Sequence, residues 1–126
     1  MKYFIDSSAW IEYLEGSEMG EKVAQLIKGK NEIFTLPINI GEVISKIKKK
    51  KGNVELTYHA LISSAKISQI TPRQAKEAGI LHSKHKEKNK SFSLADAFII
   101  TVAKELNAIL IAKDPHFKEF TDTIIL

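Results

Sequence analysis

Hydrophobic and polar positions fall into two alternating patterns along this chain. Short apolar runs at Lys2–Ile5 (KYFI), Glu32–Leu36 (EIFTL) and Ala108–Ala112 (AILIA) have the length and composition of buried strands. Between them, apolar residues recur every three to four positions, the spacing of one helix face. Trp10, Ile11 and Leu14 predict a helix over Ser8–Glu15, ended by Gly16. Val23, Leu26 and Ile27 predict a second over Glu18–Lys28, with Gly29 after it. Pro37 is expected to stop the second strand, and Ile40, Val43, Ile44 and Ile47 stripe a helix over Ile38–Lys51. A helix over Val54–Ala65 follows, then a short strand over Ser68–Ile70. Thr71-Pro72 opens a helix reaching about Lys86. Ser93–Leu106 is apolar nearly all round, as a buried helix is. Pro115–Phe120 reads as a helical turn and Thr123–Leu126 as a last strand.

Apolar strands separated by helices predict a mostly parallel sheet of about five strands, covered on both faces. The fold class is therefore α/β, a doubly wound sandwich. Ligands in such folds bind at the carboxyl ends of the strands, where strand order reverses. No linker, repeat or low-complexity tract divides the 126 residues, so residues 1–126 are read as one domain. A chain of this length buries roughly two-thirds of its unfolded surface, enough for a core without staples.

The absence of Cys excludes disulfides, thiolate metal sites and a cysteine nucleophile, and a reducing compartment, the cytoplasm, is expected. No apolar run approaches the ~20 residues of a membrane span, and Asp6 interrupts the place of an export signal. The net charge of +4 is compatible with a polyanionic partner. Of the 19 basic residues only Arg73 is Arg, which argues against bidentate reading of bases by a basic surface.

The acids carry the chemistry. Asp6 follows the first strand, Glu42 lies one turn into the helix after the second, Asp96 lies in the first turn of the buried helix, and Asp114 follows AILIA. Carboxylates gathered at one sheet edge repel each other unless a cation sits among them. Oxygen ligands suit Mg²⁺ or Mn²⁺, which activate water and stabilise charge on a phosphate under attack. Each acid also has a local structural reading. Asn39-x-x-Glu42 and Ser93-x-x-Asp96 resemble capping boxes, Asp114-Pro115 resembles an N-cap, and Asp6-Ser7-Ser8 resembles a strand-to-helix turn. Spacing alone leaves both readings open.

At these residues the sequence resembles the PIN-domain ribonucleases, specifically VapC-type toxins of bacterial and archaeal toxin–antitoxin pairs. The matching segments are FIDSSAWIEYL, LPINIGEVISKI, SLADAFIITVAKELNAILIAKD and the phenylalanine of KDPHF, in that order over essentially the whole chain. The resemblance implies a PIN-like sheet sandwiched by helices, with an acidic pocket holding one or two Mg²⁺ or Mn²⁺ ions. It maps the family's acids to Asp6, Glu42, Asp96 and Asp114, and its small polar residue after the first aspartate to Ser8. Asp6, Glu42 and Asp96 would hold the principal ion, and Asp114 a second ion or a water. The family often has Thr or Ser two before the last aspartate; this chain has Ala112. The implied activity is metal-dependent hydrolysis of RNA phosphodiester bonds. The implied partners are an RNA substrate, a cognate antitoxin that inserts a segment into the pocket, and a second copy in a homodimer.

Lys46 and Lys48–Lys51 read either as a solvated helix end complementing the macrodipole or as an RNA-binding patch. Lys84, Lys86, Lys88 and Lys90 lead into Ser93–Asp96 and read either as phosphate contacts or as a polar loop. His82 and His85 are expected to face solvent, and His116 to lie on the surface after Pro115. Two other readings differ in class. A phosphohydrolase with Asp6 as covalent nucleophile usually needs a second acid two residues on, where this chain has Ser8. An inactive PIN-like binding module would keep the fold without turnover.

Overall fold

Every strand pair in the computed structural model, which describes residues 1–126, is parallel, and the sheet order is β3-β2-β1-β4-β5. The strands are β1 Lys2–Ile5, β2 Glu32–Thr35, β3 Lys66–Ile67, β4 Ile109–Ala112 and β5 Thr123–Ile125. The helices are α1 Ser7–Glu15, α2 Glu18–Lys28, α3 Pro37–Lys49, α4 Val54–Ser64, α5 Pro72–Lys86 and α6 Leu94–Leu106, with a 3₁₀ turn over Pro115–Glu119. Strand order steps outward from β1 to β3 and then jumps to β4. The reversal therefore falls between β1 and β4, where Phe4 pairs with Leu110 and Ile5 with Ile111.

Side-chain alternation along the strands builds two cores. Phe4, Phe34 and Leu110 point to the face covered by α5 and α6 and pack with Ala97, Ile100, Phe92 and Phe117. Ile5, Ile33 and Ile111 point to the other face and pack with Trp10, Val23, Val43 and Leu61 of α1 to α4. Trp10 is fully buried, and its indole Nε1 donates to Thr35 Oγ1 at 3.2 Å, tying α1 to the end of β2. The turn from α1 into α2 depends on two glycines. Gly16 takes the left-handed conformation at φ 68°, and Gly20 lies so close to α1 that a Cβ would come within 2.0 Å of the Glu12 carbonyl oxygen.

The α/β class, the parallel sheet and the element order expected from the sequence all hold. Several element ends move by one or two residues, and two of the differences have a physical reason. Pro37 does not merely stop β2; it is the first residue of α3, where its missing N–H leaves no intrahelical bond unmade. The third strand is Lys66–Ile67 rather than Ser68–Ile70. An edge strand two residues long gives too little periodicity to locate.

Candidate active site

Parallel strands and antiparallel returning helices bring strand ends and helix N-termini to one edge. Asp6 leaves β1 at the N-cap position of α1, Glu42 lies in the second turn of α3, Asp96 in the first turn of α6, and Asp114 two residues beyond β4. Asp6 is fixed from two sides. Its backbone N–H donates to the Ile111 carbonyl at 3.0 Å, and the Ser8 hydroxyl donates to its Oδ2 at 3.0 Å. It is 9% exposed. Burial pushes its carboxyl up from 3.8 to about 6, with repulsion from Asp96 and Glu42 adding to the rise and bonds from Ser8 and the Ser7 amide opposing it.

Glu42 is held by a three-residue relay. The Leu36 amide donates to Asn39 Oδ1 at 3.2 Å, which fixes the orientation of that side-chain amide. Asn39 Nδ2 donates to Ser7 Oγ at 2.9 Å, and the Ser7 hydroxyl donates to Glu42 Oε1 at 2.7 Å. Asn39 is completely buried. The expected capping box between Asn39 and Glu42 is therefore not formed. Leu36 is the N-cap residue, Asn39 is the residue that serves it, and Glu42 is left free to face Asp6. Neither Ser7 nor Asn39 emerges from the sequence as a site residue. The available signal is Asn39 itself, an amide amid the apolar run of α3, which is costly to bury unless bonded.

Asp96 serves two functions at once. Its Oδ2 accepts from the Ser93 amide at 3.0 Å while its own amide donates to Ser93 Oγ at 3.0 Å, so the capping box read from the sequence is present. Asp114 caps the 3₁₀ turn by accepting from the His116 amide at 3.0 Å. That bond first, and then the His116 side chain, hold its carboxyl below the ordinary aspartate value. Ala112 is fully buried and offers no hydroxyl, so the bonds to Asp114 come from the residue two positions after it.

The histidines depart most from expectation. The His116 side chain is only 13% exposed, with Nδ1 2.8 Å from Asp114 Oδ1 and Nε2 3.8 Å from Asp96 Oδ2. Neither ring nitrogen makes an aligned hydrogen bond. The ring stacks on Phe117 and meets Phe92 edge-on. His82 and His85 are half-buried against Phe92, and His85 also against Phe120, because the phenylalanines close this end of the core. Lys84, Lys86, Lys88 and Lys90 are exposed. Lys86 turns its ammonium back onto the carbonyls of Lys90 and Phe92 (the latter at 3.3 Å), which holds the loop rather than presenting the charge.

The donor chemistry fits Mg²⁺ or Mn²⁺. All four acids offer oxygen, Asp6 is a buried carboxylate under repulsion, and no Lys or Arg pairs with Asp6 or Glu42. As the side chains stand, no three acids or histidines converge to ligand spacing.

A five-stranded parallel sheet with acids at the carboxyl edge near its switch point defines an α/β protein with its acidic side chains at one sheet edge. The sequence matches the PIN domain over residues 3–122, and the chain belongs to that family. It is similar in structure to VapBC2 from Rickettsia felis, solved bound to a promoter DNA fragment, at 18% identity and TM-score 0.78 over 100% of this chain and 99% of that one. It is also similar to VapC20 from Mycobacterium tuberculosis, a toxin described as cleaving the sarcin-ricin loop, at 18% identity and TM-score 0.75 over 93% of each chain. A toxin–antitoxin complex from Klebsiella pneumoniae matches at 20% identity and TM-score 0.74, over 97% of this chain and 95% of that one. No curated protein matches the sequence. No helix is long and apolar enough to cross a membrane.

Proposed function

We propose that this protein is a Mg²⁺- or Mn²⁺-dependent endoribonuclease and the toxin of a toxin–antitoxin pair. The observation that carries the reading is Asp6, a buried carboxylate at the β1/β4 switch point, pushed up to about 6 and facing the charges of Asp96 and Glu42. A PIN-domain protein has little structural use for that arrangement, and a divalent cation relieves it. Asp6, Glu42 and Asp96 would hold the ion, and Asp114 would orient water or hold a second one. When bound, the ion supplies charge that acidifies water and stabilises the phosphate under attack.

The chain's own residues prepare that site. Ser8 holds one oxygen of Asp6. The Asn39–Ser7 relay holds Glu42 Oε1 as the acceptor of the Ser7 hydroxyl. Ser93 fixes the rotamer of Asp96. The proposed partners are RNA, an antitoxin that reaches the acidic pocket with a basic side chain, and a second copy of the chain.

The test is cleavage of a mixed pool of structured RNAs with Mn²⁺, with Mg²⁺ and with chelator, alongside Asp6→Asn. Cleavage that requires the metal and disappears in Asp6→Asn supports the reading. Folded protein that binds RNA but cuts none under either metal points to the second reading, a PIN module that binds without turnover. The dispersed acids, with no three at ligand spacing, favour that alternative.

A further inference from the structure

The geometry points to the exposed face of α3 as the track along which the RNA backbone leaves the acidic cleft, with Lys46 and Lys49 as its phosphate contacts. It rests on the ribonuclease reading and adds the surface that holds the substrate.

Three observations carry it. First, Glu42, Lys46 and Lys49 are spaced i, i+4 and i+7 and share one side of the helix. With Ile38, Gly41 and Ser45 they form one open, shallow face of α3 that includes the site carboxylate. Lys46 and Lys49 lie about 6 Å and about 10.5 Å along the axis from Glu42. A strand stacked at 3.4 Å per nucleotide spans those distances in about two and three nucleotides.

Second, these ammonium groups are free. Lys50 pairs with Glu15, Lys66 with Glu32 and Lys113 with Glu12, and Lys86 is tied to its own loop. Lys46 and Lys49 are exposed and have no acidic partner within salt-bridge distance. The helix macrodipole accounts for basic residues near this C-terminus. It does not account for two of them continuing the line of an active-site acid.

Third, Gly41 sits inside α3 on this same face, although a helix-interior glycine costs about 1 kcal/mol relative to alanine. A Cβ there would meet nothing within 4 Å, so no packing inside this chain requires the glycine. A ligand backbone passing close to the helix does. Charge selects the ligand as a polyanion, and continuity with Glu42 makes it the strand being cut.

The experiment is fluorescence anisotropy of a labelled oligouridylate with the full-length protein in chelator, where turnover plays no part, over a range of salt concentrations. Lys46→Gln/Lys49→Gln is expected to weaken binding and to reduce the log–log salt slope by about 1.4, the value for two single-strand phosphates. Lys88→Gln/Lys90→Gln is expected to leave the slope unchanged. Gly41→Leu is expected to raise the melting temperature yet weaken RNA binding, a combination that a purely structural glycine does not produce. An unchanged slope in the Lys46/Lys49 variant, a loss that appears in the Lys88/Lys90 variant instead, or no binding by the unaltered protein overturns the track. Cleavage by the unaltered protein with an unchanged slope overturns the track and leaves the nuclease reading standing. Lysine-dependent binding without cleavage in any metal does the reverse.

Discussion

The Ser7 hydroxyl donates to the Glu42 carboxylate at 2.7 Å across the gap between α1 and α3. Because Ser7 already accepts from Asn39, its proton has one remaining destination, and Glu42 is held as an acceptor. Replacing Ser7 with alanine frees Glu42. The expected result is roughly tenfold weaker Mn²⁺ binding by calorimetry, typical of losing a group that orients a ligand. Ser7→Thr should restore most of it. Asn39→Leu should cost more in stability, about 1–3 kcal/mol in urea unfolding, because it strands the buried Leu36 amide.

Asp6 makes a prediction about pH. Its carboxyl ionises at 3.8 when unperturbed and at about 6 in the folded protein, so between those values the folded chain holds a proton the unfolded chain has released. Its contribution to stability is full below 3.8 and is lost as pH rises through about 6. Ionised Asp6 therefore destabilises the metal-free protein at pH 7 by up to about 3 kcal/mol. Asp6→Asn should unfold at higher denaturant than the parent at pH 7, and the advantage should vanish by pH 4. Saturating Mn²⁺ should stabilise the parent and leave Asp6→Asn unmoved.

His116 ties the Asp114 turn to the segment between α5 and α6 by stacking on Phe117 and meeting Phe92 edge-on. His116→Ala should cost about 2–4 kcal/mol, the range for truncating a buried ring. Carbon-detected NMR titration should show the Asp114 carboxyl below the ordinary aspartate value in the parent. In the variant it should rise only part of the way, because the backbone amide that is the larger cause remains.

Gly20→Ala places a methyl group 2.0 Å from the Glu12 carbonyl oxygen, a backbone atom that cannot swing aside. The helices α1 and α2 must separate, and a loss of about 1–3 kcal/mol is expected from the melting curve. Gly41→Ala, where nothing is met, should be neutral or stabilising.

The contrast between what the sequence reveals and what it hides follows from where each interaction lives. AILIA announces β4 because a strand buried on both faces has no polar positions, and the acids stand out because Asp is rare in this chain. Ser7 is invisible beside Ser8. Which hydroxyl serves Asp6 and which serves Glu42 depends on the angle between β1 and α1 and on a helix about thirty residues further on. The burial of His116 is hidden in the sequence for a related reason. A proline next to an aspartate suggests a surface turn, and only the arrival of Phe92 from another element makes that turn an interior wall. Local pattern reports local bonds, and the second layer of this site is made of bonds between elements distant in sequence.

The all-parallel sheet has a further consequence. Adjacent parallel strands cannot be joined by a tight turn, so the acids that follow Asp6 reach the edge only after a crossover connection. Ile5, next to Asp6, pairs with Ile111, more than a hundred residues further along the chain. A fragment that ends before β4 lacks the strand that pairs with β1, and with it the switch point beside Asp6, so any lesion that removes β4 takes this edge of the sheet apart.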